Sequence, residues 1–127
     1  MQYPSPQDQR LYHEQVWKLV RQVPYGKVTT YGQLAQMIDC PPGIDENDYD
    51  MLGSRWVGTA MSACPNDVPW HRVINSKGKV STRPGAQSQQ QRLEKEGIVF
   101  AHDRINLTIY GWPVEERTGA PAQGDLF

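Results

Sequence analysis

Ser54-Arg55-Trp56-Val57-Gly58-Thr59-Ala60-Met61-Ser62-Ala63 is the stretch on which the fold turns. Ser54 is a good helix N-cap and Pro65 halts any continuation, so the spacing predicts a helix over 54–63. Gly58, Thr59, Ala60, Ser62 and Ala63 make it poor in bulk. Small side chains let a backbone come close to another surface, either a neighbouring helix or DNA. Upstream, Thr30 followed three residues later by Gln33 forms a capping box for a short helix to residue 38, with Leu34, Ala35 and Ile38 facing inward. The 39–53 stretch carries Pro41-Pro42-Gly43, an acidic run and Gly53, and reads as a loop.

Further out, Leu11, Tyr12, Val16, Leu19, Val20 and Val23 recur at three- and four-residue steps, predicting a helix over 6–23 that Pro24 and Gly26 end. Downstream, Val73-Ile74 and Val80 flank the turn signal Asn75-Ser76-Lys77-Gly78, which predicts a small hairpin, or wing, within 68–81. A polar helix is expected over 86–96 with Gly97 as its cap, and Ile105, Leu107 and Ile109 alternate as a short strand does. Tyr110 and Trp112 are expected to pack over the core. Two helices joined by a loop and followed by a hairpin give a mostly α fold with a small β-hairpin, a winged helix-turn-helix, which sets the 54–63 helix at a DNA groove. The 127 residues fit one domain, 1–112, while 113–127 turn to Glu, Gly, Pro and Ala and predict a disordered tail.

Charge is uninformative in total and informative in place. The formal net charge is -1, yet residues 54–95 hold Arg55, Arg72, Lys77, Lys79, Arg83, Arg92 and Lys95 against Asp67 and Glu94. A local basic patch draws phosphate whatever the total, through counterion release. The acids Asp39, Asp45, Glu46, Asp48 and Asp50 lie apart from it, without a base between them. No apolar run approaches the ~20 residues of a membrane helix, and the first residues lack the basic-then-apolar layout of a secretory signal, so the expected place is the cytoplasm, on the nucleoid, or a nucleus if the source has one. Cys40 and Cys64 form no Cys-x-x-Cys pair and His13, His71 and His102 are scattered, so neither metal nor other cofactor is expected. With no heptad seam or long apolar edge, a monomer is expected.

The segment Pro69-Trp70-His71-Arg72-Val73 resembles the Pro-Cys-His-Arg-Val pentapeptide of the O6-alkylguanine-DNA alkyltransferases, with Trp70 in the place of the nucleophilic cysteine. That substitution marks the alkyltransferase-like proteins. Residues 23–32, Val-Pro-Tyr-Gly-Lys-Val-Thr-Thr-Tyr-Gly, the 54–61 segment, Val73-Ile74-Asn75-Ser76-Lys77-Gly78 and Leu93-Glu94-Lys95-Glu96-Gly97 follow in the family's order and extend the resemblance over roughly 10–112. The expected fold is therefore that of the transferases' C-terminal domain.

The resemblance implies duplex DNA as partner, a flipped O6-alkylguanine as ligand, and a handover of the lesion to nucleotide excision repair proteins. Tyr31 would press on the phosphate beside the target, and Arg55 would enter the stack in place of the extruded base. Gly58, Thr59 and Ser62 would share the DNA face with them. Trp70, Arg83, Tyr31 and Val73 would line the lesion pocket, Arg83 by stacking on the base. His71, Glu96 and Asn75 would persist from the transferase network without catalytic duty. An indole offers a weak N–H donor and an apolar face, so Trp70 is no nucleophile and no enzyme is expected.

Two rival readings make different predictions. A transferase using Cys64 would gain about 14 Da from methylated DNA, although Ala63-Cys64-Pro65 is a helix end with no adjacent histidine. A winged-helix regulator would read an unmodified operator and ignore alkylation.

Overall fold

The computed structural model describes residues 9–80 and 85–113. Helix α1, Gln9–Arg21, buries Tyr12, Val16 and Val20 on one stripe. Strand β1, Thr29–Thr30, leads directly into α2, Tyr31–Met37, where Thr30 Oγ1 accepts the Gln33 amide at 3.0 Å, as the capping-box signal requires. The start of the 6–23 helix and the 113–127 tail, apart from Pro113, fall outside the described residues.

Helix α3, Glu46–Ser62, corrects the expected 39–53 loop. It begins eight residues before Ser54, at an Asp45 cap whose side chain accepts the Asn47 amide at 2.7 Å. Glu46 and Asp48 sit in its first turn, where the helix dipole favours negative charge. The acidic run is thus partly a helix start. Gly53 belongs to close packing: a Cβ there would lie 3.1 Å from the Ala35 Cβ and 3.2 Å from the Tyr49 ring. Glycine lets α3 approach α2, and the turn is confined to residues 38–45.

Three helices meet in one core of Tyr12, Val16, Val20, Leu34, Val57 and Ala60, each fully buried aliphatic side chain contributing roughly 1.5–3 kcal/mol. Polar groups orient them. Tyr12 donates to the Tyr49 hydroxyl at 3.0 Å, Tyr49 donates to the Ala35 carbonyl at 2.7 Å, and the Trp17 indole donates to the Ala60 carbonyl at 2.8 Å. The chain α1–α2–α3 is thereby fixed by directional contacts as well as by apolar burial.

The expected 68–81 hairpin is also corrected. Strand β2, Val73–Ile74, pairs in parallel with β1, in the register Thr29–Val73 and Thr30–Ile74. Both β2 residues are buried and apolar, so they join the core instead of projecting as a ribbon. The Asn75-Ser76-Lys77-Gly78 turn does form, with the Asn75 side chain accepting the Lys77 and Lys79 amides at 2.9 and 3.0 Å.

The antiparallel hairpin lies later, in β3, Phe100–Ala101, and β4, Arg104–Ile105, turned through His102 and Asp103 at positive φ. Helix α4, Ala86–Lys95, precedes it and ends as expected at Gly97, with φ of +90°. The expected strand at 105–109 gives way to α5, Leu107–Tyr110, because Asn106 accepts the Thr108 amide at 2.9 Å and caps a helical turn. A second core of Val28, Ile74, Leu93, Ile98 and Ile105 joins these pieces. The architecture is mostly helical with small sheets, a winged-helix-like fold.

Candidate nucleic-acid interface and base pocket

Helix α3 divides its residues cleanly. Tyr49, Gly53, Trp56, Val57 and Ala60 are buried, whereas Arg55, Thr59 and Ser62 are exposed at four- and three-residue steps along the opposite face. Thr59 Oγ1 donates to the Arg55 carbonyl at 3.2 Å and Ser62 Oγ to the Thr59 carbonyl at 2.7 Å, so these hydroxyls lie along the helix instead of reaching outward. Gly58 adds no bulk, and a Cβ placed on it would meet nothing within 4 Å. The result is a low, polar helical face with Arg55 at one end.

At the C-terminal end of that helix, Tyr31, Met61, Ser62, Cys64, Pro65, Asn66 and Trp70 line an open cavity of about 410 Å³. Tyr31 is the first residue of α2, and Trp70 opens a 3₁₀ turn, Trp70–Arg72, so two separate elements bring these aromatics to one hollow. Trp70 is half-buried, its ring perpendicular to that of His71 with the centroids 6.2 Å apart. A larger hollow of about 510 Å³ between β1 and α5 contains none of the DNA-face or lesion-pocket residues expected from the sequence.

Behind Trp70 lies a charged network. The Glu96 carboxylate accepts His71 Nε2 at 2.7 Å, Arg72 Nη2 at 2.9 Å and the Gly26 amide at 2.8 Å, and Arg72 also donates to the Val23 carbonyl at 3.0 Å. Burial alone would raise the Glu96 pKa; the Arg72 guanidinium, the Gly26 amide and His71 outweigh it and hold the carboxyl below its ordinary value. A carboxylate only accepts, so His71 Nε2 carries the hydrogen, and Nδ1 is left buried without a hydrogen-bond partner. This buried His71–Glu96–Arg72 network lies beside an indole, which is no nucleophile.

The residues expected from sequence therefore fall into separate sets. Tyr31 and Trp70 come together in the cavity. Arg55, Gly58, Thr59 and Ser62 share α3, Ser62 reaching both groups. Val73 is 1% exposed and lies in the core, away from the cavity lining. Asn75 ties its own turn, and Arg83 lies outside the described residues.

Two residues were not expected at the pocket, Gln89 and, beyond its place in the basic patch, Arg92. Gln89, 1% exposed, donates through Nε2 to the His71 and Val73 carbonyls at 3.1 and 3.0 Å, and the Arg92 guanidinium lies 5.5 Å from the Trp70 ring centroid. Their signal was the spacing Gln89, Arg92, Leu93, Glu96, one face of α4.

Cys64 shares the cavity with Trp70, which its sequence setting did not suggest. Burial, with a contribution from Asp67, pushes its thiol pKa above the ordinary value, away from the reactive thiolate. Among the described residues, no helix is long and apolar enough to cross a membrane, and no cluster of His, Cys, Asp or Glu could hold a metal ion.

A helix-turn-helix pair presenting a low face, with an aromatic cavity at its end, defines a class that known proteins share. The sequence model of the 6-O-methylguanine DNA methyltransferase DNA-binding domain matches residues 11–98. Alkyltransferase-like protein 1 of Schizosaccharomyces pombe is 38% identical over 111 residues, spanning 80% of this chain and 94% of its own. The DNA base-flipping protein of Escherichia coli is 34% identical over 116 residues, 84% of this chain and 82% of its own.

Among solved structures, S. pombe Atl1 in complex with damaged DNA containing O6-carboxymethylguanine superposes with a TM-score of 0.65 at 36% identity, covering 81% and 95% of the two chains. The chain belongs to the family of the 6-O-methylguanine DNA methyltransferase DNA-binding domain, in its alkyltransferase-like branch.

Proposed function

We propose that this protein is a non-enzymatic sensor of alkylated DNA, which flips O6-alkylguanine from the duplex, holds it without dealkylation and marks it for nucleotide excision repair. The observation that carries this reading is Trp70 as a wall of the cavity at the end of α3, with Tyr31 in the same lining and the His71–Glu96 pair beside an indole that offers no nucleophile. An enzyme acting on a duplex base must take it out of the stack, and a binder of the same atom faces the same problem. Tyr31, at the start of α2, is suited to press on the adjoining phosphate, and Arg55 to fill the vacated stack. Arg83 is assigned the stacking role on the base from resemblance.

Holding a lesion helps a cell only if another activity removes it, which is why excision proteins are the expected partners. The protein would act as a monomer, in the compartment that holds the DNA. Two relatives, one a DNA base-flipping protein and one solved in complex with damaged DNA, support the binding part of this reading.

One observation favours a second reading: Cys64 lines the same cavity. A thiol there displacing the alkyl group would leave S-alkylcysteine and restored guanine. Intact mass after incubation with O6-methylguanine duplex separates the two. The sensor keeps its mass and the lesion is recovered unchanged, whereas a gain of about 14 Da would establish covalent transfer. Cells lacking the protein are expected to be sensitised to alkylating agents only while excision repair is intact; added sensitivity in its absence would remove the handover.

A further inference from the structure

We propose that Arg92 is a positioning residue for Trp70, and that α4 is the clamp that sets the pocket wall; this rests on the sensor reading above. The 3₁₀ turn carrying Trp70 is held from α4 at two levels. Gln89, fully buried, ties the backbone through the carbonyls of His71 and Val73, which bracket Arg72. One turn on, Arg92 sets its guanidinium over the indole, 5.5 Å from the centroid. Leu93, with no exposed surface, anchors α4 in the second core, and Glu96 closes the stripe by gripping His71 and Arg72.

Arg92 is not among the residues lining the cavity, and the contact it makes is with the indole that does line it. A cation over one face of an aromatic ring restrains the ring, because the face quadrupole attracts it. A T-shaped contact with His71 and the Arg92 guanidinium over the ring together restrain the indole before any base arrives. A preorganised wall discriminates, since a base that fits need not first order the side chain. The competing role for an exposed arginine on a DNA-binding protein is a phosphate contact. It differs in what it predicts: phosphate contacts serve every duplex alike and carry salt dependence.

The test uses the full chain labelled with 5-fluorotryptophan, whose four tryptophans give four fluorine resonances, Trp70 being assigned by W70F. R92A and R92K are compared with wild type by this spectrum, and by titration against duplexes carrying guanine or O6-methylguanine across a salt series. In R92A the Trp70 resonance is expected to move while the others stay. The preference for the alkylated duplex should fall about threefold, the size of an exposed cation–π contact, with the salt slope unchanged. R92K should retain most of the preference.

An unmoved Trp70 resonance in R92A overturns the clamp. Equal losses on both duplexes with a salt slope smaller by about one overturn it in favour of a phosphate contact. A wild type that binds both duplexes equally overturns the sensor reading before any substitution is made, and the fluorine spectrum then judges the clamp separately.

Discussion

Glu96 Oε2 sits 2.7 Å from His71 Nε2, and the same carboxylate receives Arg72 in a forked contact, 25 and 24 residues away along the chain. The carboxylate is nearly buried, with 6% of its side chain exposed, and Arg72 is only 16% exposed. Removing one partner of such a pair leaves the other charged and desolvated. E96A should therefore destabilise the fold by about 3 kcal/mol, measured by urea unfolding at neutral pH.

Because the folded-state pKa of Glu96 is depressed, its contribution is present above its unfolded value near 4.5 and is lost as pH falls through the lower folded value. Stability should decline below pH 4.5 in wild type, and E96Q should lack that part of the acid limb. Parallel acid limbs in the two proteins would refute the assignment.

Two glycines on α3 predict opposite outcomes. At Gly53 a Cβ would press on Ala35 at 3.1 Å, so G53A should lose about 1–3 kcal/mol by overpacking. At Gly58 nothing lies within 4 Å, so G58A should gain up to about 1 kcal/mol from helix propensity. Gly58 faces the proposed DNA surface, and the added methyl should weaken duplex binding even as thermal stability rises.

Gln89 is a buried polar group spent on two backbone carbonyls, those of His71 and Val73. Q89L keeps much of the volume but strands both acceptors, at a cost of about 1–3 kcal/mol in thermal or urea unfolding. A stability change under about 0.5 kcal/mol would show that water replaces the amide.

Arg55 is exposed, so R55A should alter stability by no more than about 0.5 kcal/mol. If it fills the vacated stack, the same substitution should weaken binding to the O6-methylguanine duplex by tenfold or more, about 1.4 kcal/mol. Losses of the same size on unmodified duplex would reduce Arg55 to a backbone contact.

Much of this was legible in the chain. Periodicity gave α1, the Thr30 and Gln33 pair gave the start of α2, and the polar 86–96 stretch with Gly97 gave α4 and its end. The errors have physical causes. Asp45, Glu46 and Asp48 are a helix cap and a dipole-matched first turn, but beside two prolines and before Gly53 they looked like a solvated loop. The glycine was there for contact with α2, which only the tertiary structure reveals.

Val73 and Ile74 read as one arm of a hairpin because the nearest apolar partner in sequence was Val80. Their partner in space is Thr29–Thr30, more than forty residues earlier. Gln89 and Arg92 were passed over for a similar reason: in a polar helix a glutamine and an arginine are the expected surface, and only the fold sets them against His71, Val73 and Trp70.

The central claim is that the cavity beside Trp70 selects alkylated guanine. It is tested most directly by titrating the protein against two duplexes that differ only in guanine or O6-methylguanine, at one fixed salt concentration, since affinity shifts with salt. The account predicts at least tenfold tighter binding to the alkylated duplex, about 1.4 kcal/mol. Equal binding to the two would contradict it.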